Sequence, residues 1–145
     1  MLYTLRLTQH PRGQPNDYRV EIALEGKDFC QTATAFFRFN FPLRERENLR
    51  WYLEDYHELL FTPESNFAAR IEQRTREIGV ELFRAIFQPN NDDSDSRQIW
   101  LKLRQNLNNT RVEVITDITQ ATEIPWELLR EDINSKPLAL QVSSF

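Results

Sequence analysis

Tyr18-Arg19-Val20-Glu21-Ile22-Ala23-Leu24-Glu25 is the stretch that decides the fold. Tyr18, Val20, Ile22 and Leu24 fall on one side of an extended chain, and Arg19, Glu21, Ala23 and Glu25 fall on the other. A strict period of two marks a strand with one buried and one wet face. Toward the N-terminus, residues 1–8 repeat the pattern, with Tyr3, Leu5 and Leu7 opposite Thr4 and Arg6. The connection, His10-Pro11-Arg12-Gly13-Gln14-Pro15-Asn16-Asp17, has the prolines, glycine and Asx pair of a turn. Toward the C-terminus, Glu25-Gly26-Lys27-Asp28 turns the chain into a third run, residues 30–41. There Ala33, Ala35, Phe37, Phe39 and Phe41 share one side, and Thr32, Thr34, Phe36, Arg38 and Asn40 the other. Three such runs joined by short polar turns make an antiparallel meander with one solvated face.

From residue 43 the period lengthens to that of a helix. Leu49, Tyr52, Leu53, Tyr56, Leu59 and Leu60 form one stripe, with Arg46, Glu47, Arg50, Glu54 and Glu58 on the wet side. Thr62-Pro63 ends this helix and opens a second, whose buried stripe is Phe67, Ile71, Ile78, Leu82 and Ile86, crossed by Gly79. The two are expected to pair as a helical hairpin. After the loop-like residues 88–96 (QPNNDDSDS), Asp95 or Ser96 caps a third helix carrying Ile99, Trp100, Leu103 and Leu107. Residues 110–116 (TRVEVIT) read as a β-branched strand, residues 124–130 (IPWELLR) as a short helix opened by Pro125, and residues 137–142 (PLALQV) as a further strand.

The chain has 145 residues, 40% of them hydrophobic and 12% aromatic, enough to bury a core without metals or disulfides. Eighteen Lys and Arg stand against 22 Asp and Glu, for a net charge of −4, and no basic block is present, so the electrostatic footprint of a nucleic-acid binder is missing. No nucleic-acid partner is expected. Neither a membrane-length apolar run nor a signal segment occurs, so no membrane partner is expected either. One cysteine, Cys30, suits a reducing compartment, and the expected location is the cytoplasm. Internal repeats and flexible linkers are absent.

Chemistry-bearing patterns are few. Cys30, with His10 or His57, is the only material for a thiol–imidazole dyad, and its place in a strand reads as a buried structural cysteine. Glu54-Asp55-Tyr56-His57 has the spacing of two metal ligands on one helix face, but no second copy exists, and a solvated helix face is the simpler reading. Asn91-Asp92-Asp93-Ser94-Asp95-Ser96 begins like a calcium loop yet lacks the glycine and the closing glutamate that such a loop needs. Asn108-Asn109-Thr110 is a formal glycosylation sequon without a secretory context. No phosphate-binding glycine motif or hydrolase elbow is present. The residues therefore assign no catalytic, cofactor-binding or metal site and no cofactor. Ile124-Pro125-Trp126-Glu127-Leu128-Leu129 reads as a capped turn packed under the sheet.

That last segment also carries a resemblance. Residues 110–117 (TRVEVITD), 121–130 (ATEIPWELLR) and 137–140 (PLAL) resemble the opening of a CHAT domain, the caspase-like peptidase group commonly found with tetratricopeptide repeats. A strand, an Ile/Leu-Pro-Trp-Glu-Leu-Leu turn and a second strand are typical of that group's first α/β unit. Residues 50–56 and 78–83 are similar to stretches preceding the domain in some bacterial members, although the closer match covers residues 110–145. The resemblance implies that Trp126, Glu127, Leu128 and Leu129 form the first crossover of a caspase-like sheet. It also implies that the catalytic histidine and cysteine lie on strands beyond Phe145. His10, His57 and Cys30 match no family motif, so no catalytic residue carries over.

The expected fold is α+β: an N-terminal antiparallel β meander, a helical hairpin and a third helix in residues 1–107, then the first β-α-β unit of a truncated caspase-like sheet in residues 108–145. The expected function is that of a non-catalytic N-terminal fragment of a bacterial caspase-like cysteine peptidase that cleaves partner proteins. No activity is expected from the fragment itself, and its partner is the remainder of the parent chain or another protein. The alternative is a stand-alone interaction or regulatory module using the Phe-rich third strand or the helical hairpin.

Overall fold

A computed structural model describes residues 2–13, 16–54, 64–87, 95–116 and 124–145. Within them, strand β1 (Tyr3–Pro11), β2 (Asp17–Gly26) and β3 (Phe29–Arg38) precede helices α1 (Leu43–Glu54), α2 (Glu64–Phe87) and α3 (Asp95–Arg104), and strand β4 (Thr110–Thr116) follows. The sheet order is β3-β2-β1-β4. β1–β2 and β2–β3 are antiparallel, whereas β4 runs parallel to β1, with Tyr3 opposite Thr110 and Gln9 opposite Thr116. The fold is α+β, a mixed sheet with α2 and α3 against it.

The meander is built as its alternation dictates. Leu5 and Leu7 lie across from Leu24 and Ile22, and Val20 from Ala35, all buried. The even-numbered residues of β3, Cys30 through Arg38, all point outward. Cys30 is thus exposed, contrary to its reading as a buried structural cysteine, because its parity places it opposite Glu25 on the solvated face. β1 also extends two residues into the expected turn. Pro11 pairs with Tyr18, and as the last residue of its strand it breaks no interior ladder bond. Gly13 (φ 87°) and Asn16 (φ 67°) supply the left-handed backbone that the hairpin connection needs.

On the helical layer, Ile71, Ile78, Leu82 and Ile86 of α2 are buried as their spacing predicts, and so are Ile99, Trp100 and Leu103 of α3. Phe83 and Phe87 join them. Phe83 meets Trp100 edge-on at 4.7 Å, with Phe87 5.4 Å from the same indole. Leu107 lies beyond α3, in a 3₁₀ turn (Leu107–Asn109), and is half-buried. α1 meets α2, with Arg74 Nε 2.7 Å from Glu45 Oε1. Tyr56, His57, Leu59 and Leu60 lie outside the described residues, as do the side chains of Tyr52, Leu53 and Phe67.

Two elements near the C-terminus differ from the sequence reading. Residues 124–130 contain a single 3₁₀ turn (Trp126–Leu128), with Pro125 as its cap (φ −81°, ψ 75°) rather than its first helical residue. The expected strand over residues 137–142 is another 3₁₀ turn (Leu138–Leu140). Leu138 is 2% exposed and Leu140 74%, although a strand would send both to one face. The Leu138 N–H is turned onto the Leu129 carbonyl (2.7 Å), which fixes it away from a sheet. Pairing with β4 begins only afterwards, where Ser143 N–H donates to Thr110 O and Val112 N–H to Ser144 O, both at 2.8 Å. The bridge between Arg111 and Ser144 is parallel. Sheet pairing and one cluster of buried side chains therefore span the position between Leu107 and Asn108 where the sequence reading divides the chain.

Candidate functional site

Residues 124–131 lie where the chain after β4 meets α2 and α3. Trp126, Leu128 and Leu129 are buried, and Ile124 is buried beside them. The turn closes on itself through Leu128 N–H to Pro125 O (3.0 Å) and Leu129 N–H to Trp126 O (3.1 Å). Trp126 Nε1 then donates to Gln9 Oε1 at 3.1 Å, which explains how a glutamine only 2% exposed is tolerated under the sheet.

Gly79 lets this turn sit on α2. A methyl at that position would run into the Leu128 carbonyl oxygen, standing 2.9 Å from its carbonyl carbon and 3.2 Å from Arg130 Cγ. The glycine thus admits close backbone approach, and its own carbonyl accepts the Arg130 N–H at 3.4 Å. Residues 131–135 follow as a tight polar turn. Ser135 Oγ donates to Asp132 O (2.7 Å), and Asp132 Oδ1 accepts from Asn134 N–H (3.2 Å). Glu131 reaches α3, accepting the Trp100 Nε1–H at 2.8 Å, with Arg104 3.7 Å away. A cavity of about 260 Å³ lies there, with Phe83, Trp100 and Leu138 in its wall and Glu131 and Arg104 lining it. It combines an apolar wall with one carboxylate and one guanidinium.

Arg130 is the unusual ion of this region. It is 9% exposed, its Nη1 donates to Ser135 O at 3.2 Å, and its Nε is buried without an acceptor among the described residues. Burial, then the neighbouring Arg76, pushes its ionisation down, while Glu72 opposes them.

The outer sheet face is polar and cross-linked. Arg6 joins three strands, and its hydrogen bond to Glu113 at 3.2 Å, then its contact with Glu25 at 2.8 Å, raise its guanidinium above the ordinary value. Arg38 is held likewise by Asp17 at 3.0 Å. Phe36, 57% exposed on edge strand β3, lies under the Arg12 guanidinium at 4.7 Å.

The sequence candidates for chemistry do not converge. Cys30 is opposite Glu25, which is opposite Thr4, six residues along β1 from His10. At about 3.3 Å per residue that is roughly 20 Å, too far for a dyad. His57 and Asn91 through Ser94 lie outside the described residues, and Asp95 and Ser96 open α3. Thr110 of the sequon is buried, its Oγ1 donating to Asn106 O at 2.7 Å. Among the described residues, no three His, Cys, Asp or Glu side chains are grouped to hold a metal, and no helix is long and apolar enough to cross a membrane. The Gln9–Trp126, Glu131–Trp100 and Arg130–Gly79 contacts escaped sequence reading, and only the glycine inside an amphipathic helix signalled one of them. Set against protein-family models, curated proteins and solved structures, this chain matches none.

Proposed function

We propose that this chain is the non-catalytic N-terminal part of a bacterial, cytoplasmic, caspase-like (CHAT) cysteine peptidase, and that its partner is the remainder of the parent chain. In this reading the meander and helices form a platform on which the peptidase sheet is assembled, and the parent supplies both catalytic groups. The observation that carries the proposal is the parallel step beside β4. After the Trp-Glu-Leu-Leu turn the chain returns to the free edge of β4 and pairs there in the parallel sense at residues 143–144. A parallel crossover of this kind is how an α/β sheet grows, and the turn that makes it possible carries the CHAT-like residues. The roughly 20 Å between Cys30 and His10 supports the absence of activity from that pair.

The test is the reading frame beyond codon 145 together with a peptidase assay. The proposal expects further coding sequence with a His-Gly pair and a later cysteine, and no cleavage of fluorogenic peptides by residues 1–145. A stop codon directly after Phe145, or cleavage that Cys30→Ser abolishes, contradicts it. A second reading, a stand-alone interaction module, draws support from exposed Phe36 on edge strand β3. It expects a stable monodisperse oligomer that Phe36→Ser dissolves.

A further inference from the structure

We propose that the outer edge of β3 pairs antiparallel with the β3 of a second copy, joining the two sheets about a two-fold axis through Ala33. Hydrogen-bond parity shows what that edge offers. Phe39 N–H donates to Asn16 O at 2.9 Å, in line with the β2–β3 register, so the odd-numbered residues of β3 turn their N–H and C=O groups toward β2. The even-numbered residues, Cys30 through Arg38, turn theirs away, and among the described residues β3 ends the sheet on that side. Edge strands are ordinarily blunted by lysine, proline, a bulge or short length. β3 has none of these: its ten residues keep an unbroken register with β2 and include neither Pro nor Lys.

Charge selects the occupant. On the solvated face the other strands carry Arg6, Arg19, Glu21, Glu25, Arg111 and Glu113, whereas β3 shows Cys30, Thr32, Thr34 and Phe36 before its first charge, Arg38. An uncharged row fits a second uncharged row. With Ala33 facing Ala33 across the axis, Thr32 lies opposite Thr34 of the second copy and Cys30 opposite its Phe36, like faces together. On the inner face the same register sets Phe29 against Phe37, both only partly buried within one copy. At each end it sets Asp28, exposed in the β2–β3 turn, against Arg38. Arg38 gives Asp17 its Nε–H, and its side chain is 72% exposed, so donors remain for a second carboxylate. Other two-fold registers separate Asp28 from Arg38. The contact is thus self-complementary, as an isologous interface requires. It deepens the interaction-module reading by naming the partner, and it uses the sheet edge opposite β4, which the CHAT-like reading needs.

The experiment uses the 145-residue chain, whose one cysteine, exposed Cys30, takes a nitroxide label on the solvated face. Sedimentation equilibrium reads the oligomeric state, and double electron–electron resonance reads the spacing of the labels. The expected result is a dimer at about 0.1 mM chain. Its two Cys30 residues stand six residues apart along the paired strands, roughly 20 Å. Thr34→Pro removes an outward N–H without touching the β2 ladder and, by symmetry, deletes two bonds of the dimer. It is expected to weaken association about tenfold or more while the sheet stays folded by circular dichroism. Should that variant not fold, Thr34→Lys, which places a charge in the uncharged row, carries the same expectation. A dimer whose labels lie outside about 15–30 Å, or one that the folded Thr34 variant leaves intact, overturns the β3 pairing while the interaction-module reading stands. A monomer at that concentration overturns both.

Discussion

Gly79→Ala puts the account at risk by its sign alone. In an exposed helix interior this substitution stabilises a protein by about 1 kcal/mol, because alanine is the better helix former. At Gly79 the new methyl would lie 2.9 Å from the carbonyl carbon of Leu128 and 3.2 Å from Arg130 Cγ. Carbon atoms in contact prefer about 3.5–4.0 Å. The Leu128 side of the contact is backbone, so no rotamer change relieves it, and the turn must lift by about 1 Å. That turn seats Trp126, Leu128 and Leu129, all buried, so lifting it loosens a shared core. Overpacking of this kind costs typically 1–3 kcal/mol, toward the upper end where backbone is involved. After subtracting the helical gain, the variant is less stable by about 2 kcal/mol, a Tm lower by roughly 6–8 °C for a domain of this size. Urea unfolding followed by circular dichroism and by tryptophan fluorescence measures it, with an unchanged m value. An alanine variant as stable as the parent, or more so, would mean that residues 126–130 do not rest on α2 and would refute the reasoning.

Trp126→Phe strips the donor from Gln9 and leaves a buried amide oxygen unpaired, at a cost of about 1–3 kcal/mol. Adding Gln9→Leu should recover part of that loss, and strict additivity in the double-mutant cycle would rule the bond out. Leu138→Ala should cost about 2–5 kcal/mol while Leu140→Ala stays within about 0.5 kcal/mol, as their opposite burial requires. Equal effects in the same urea titrations would restore the strand reading. The Cys30 thiol should be fully titratable by maleimide without denaturant, and Cys30→Ser should change stability by no more than about 0.5 kcal/mol. A thiol that reacts only in urea would contradict the outward register of β3.

What the sequence made legible was local. Alternation in residues 18–25 sets the face of β2, and with it the burial of Ala35 and the exposure of Phe36 across the hairpin. Even the outward position of Cys30 follows from its parity with Thr32 and Thr34, although its residue type argued for burial. Helical spacing placed Ile71, Ile78, Leu82 and Ile86 inside, yet passed over Phe83 and Phe87, whose burial depends on the Trp100 ring opposite. The hidden part was long-range. β4 pairs with β1 across more than a hundred residues, and no periodicity encodes which strand a neighbour will be. Gln9 looks like a strand end until Trp126 supplies its partner. In residues 137–142 the alternation of Leu138 and Leu140 is short enough to suit strand or turn, and the hydrogen bond to Leu129 decides it. Arg130 carried no sequence signal at all, because its burial comes from a helix fifty residues earlier.

The central claim is that the chain after α3 shares a sheet and a core with the N-terminal meander. Methyl NOEs in a Leu/Val-labelled sample test it most directly. The parallel register predicts cross-peaks between Leu5 and Val112 and between Leu7 and Val114, beside those from Leu5 to Leu24. A spectrum with the meander cross-peaks intact and none from β1 to residues 110–116 would contradict it.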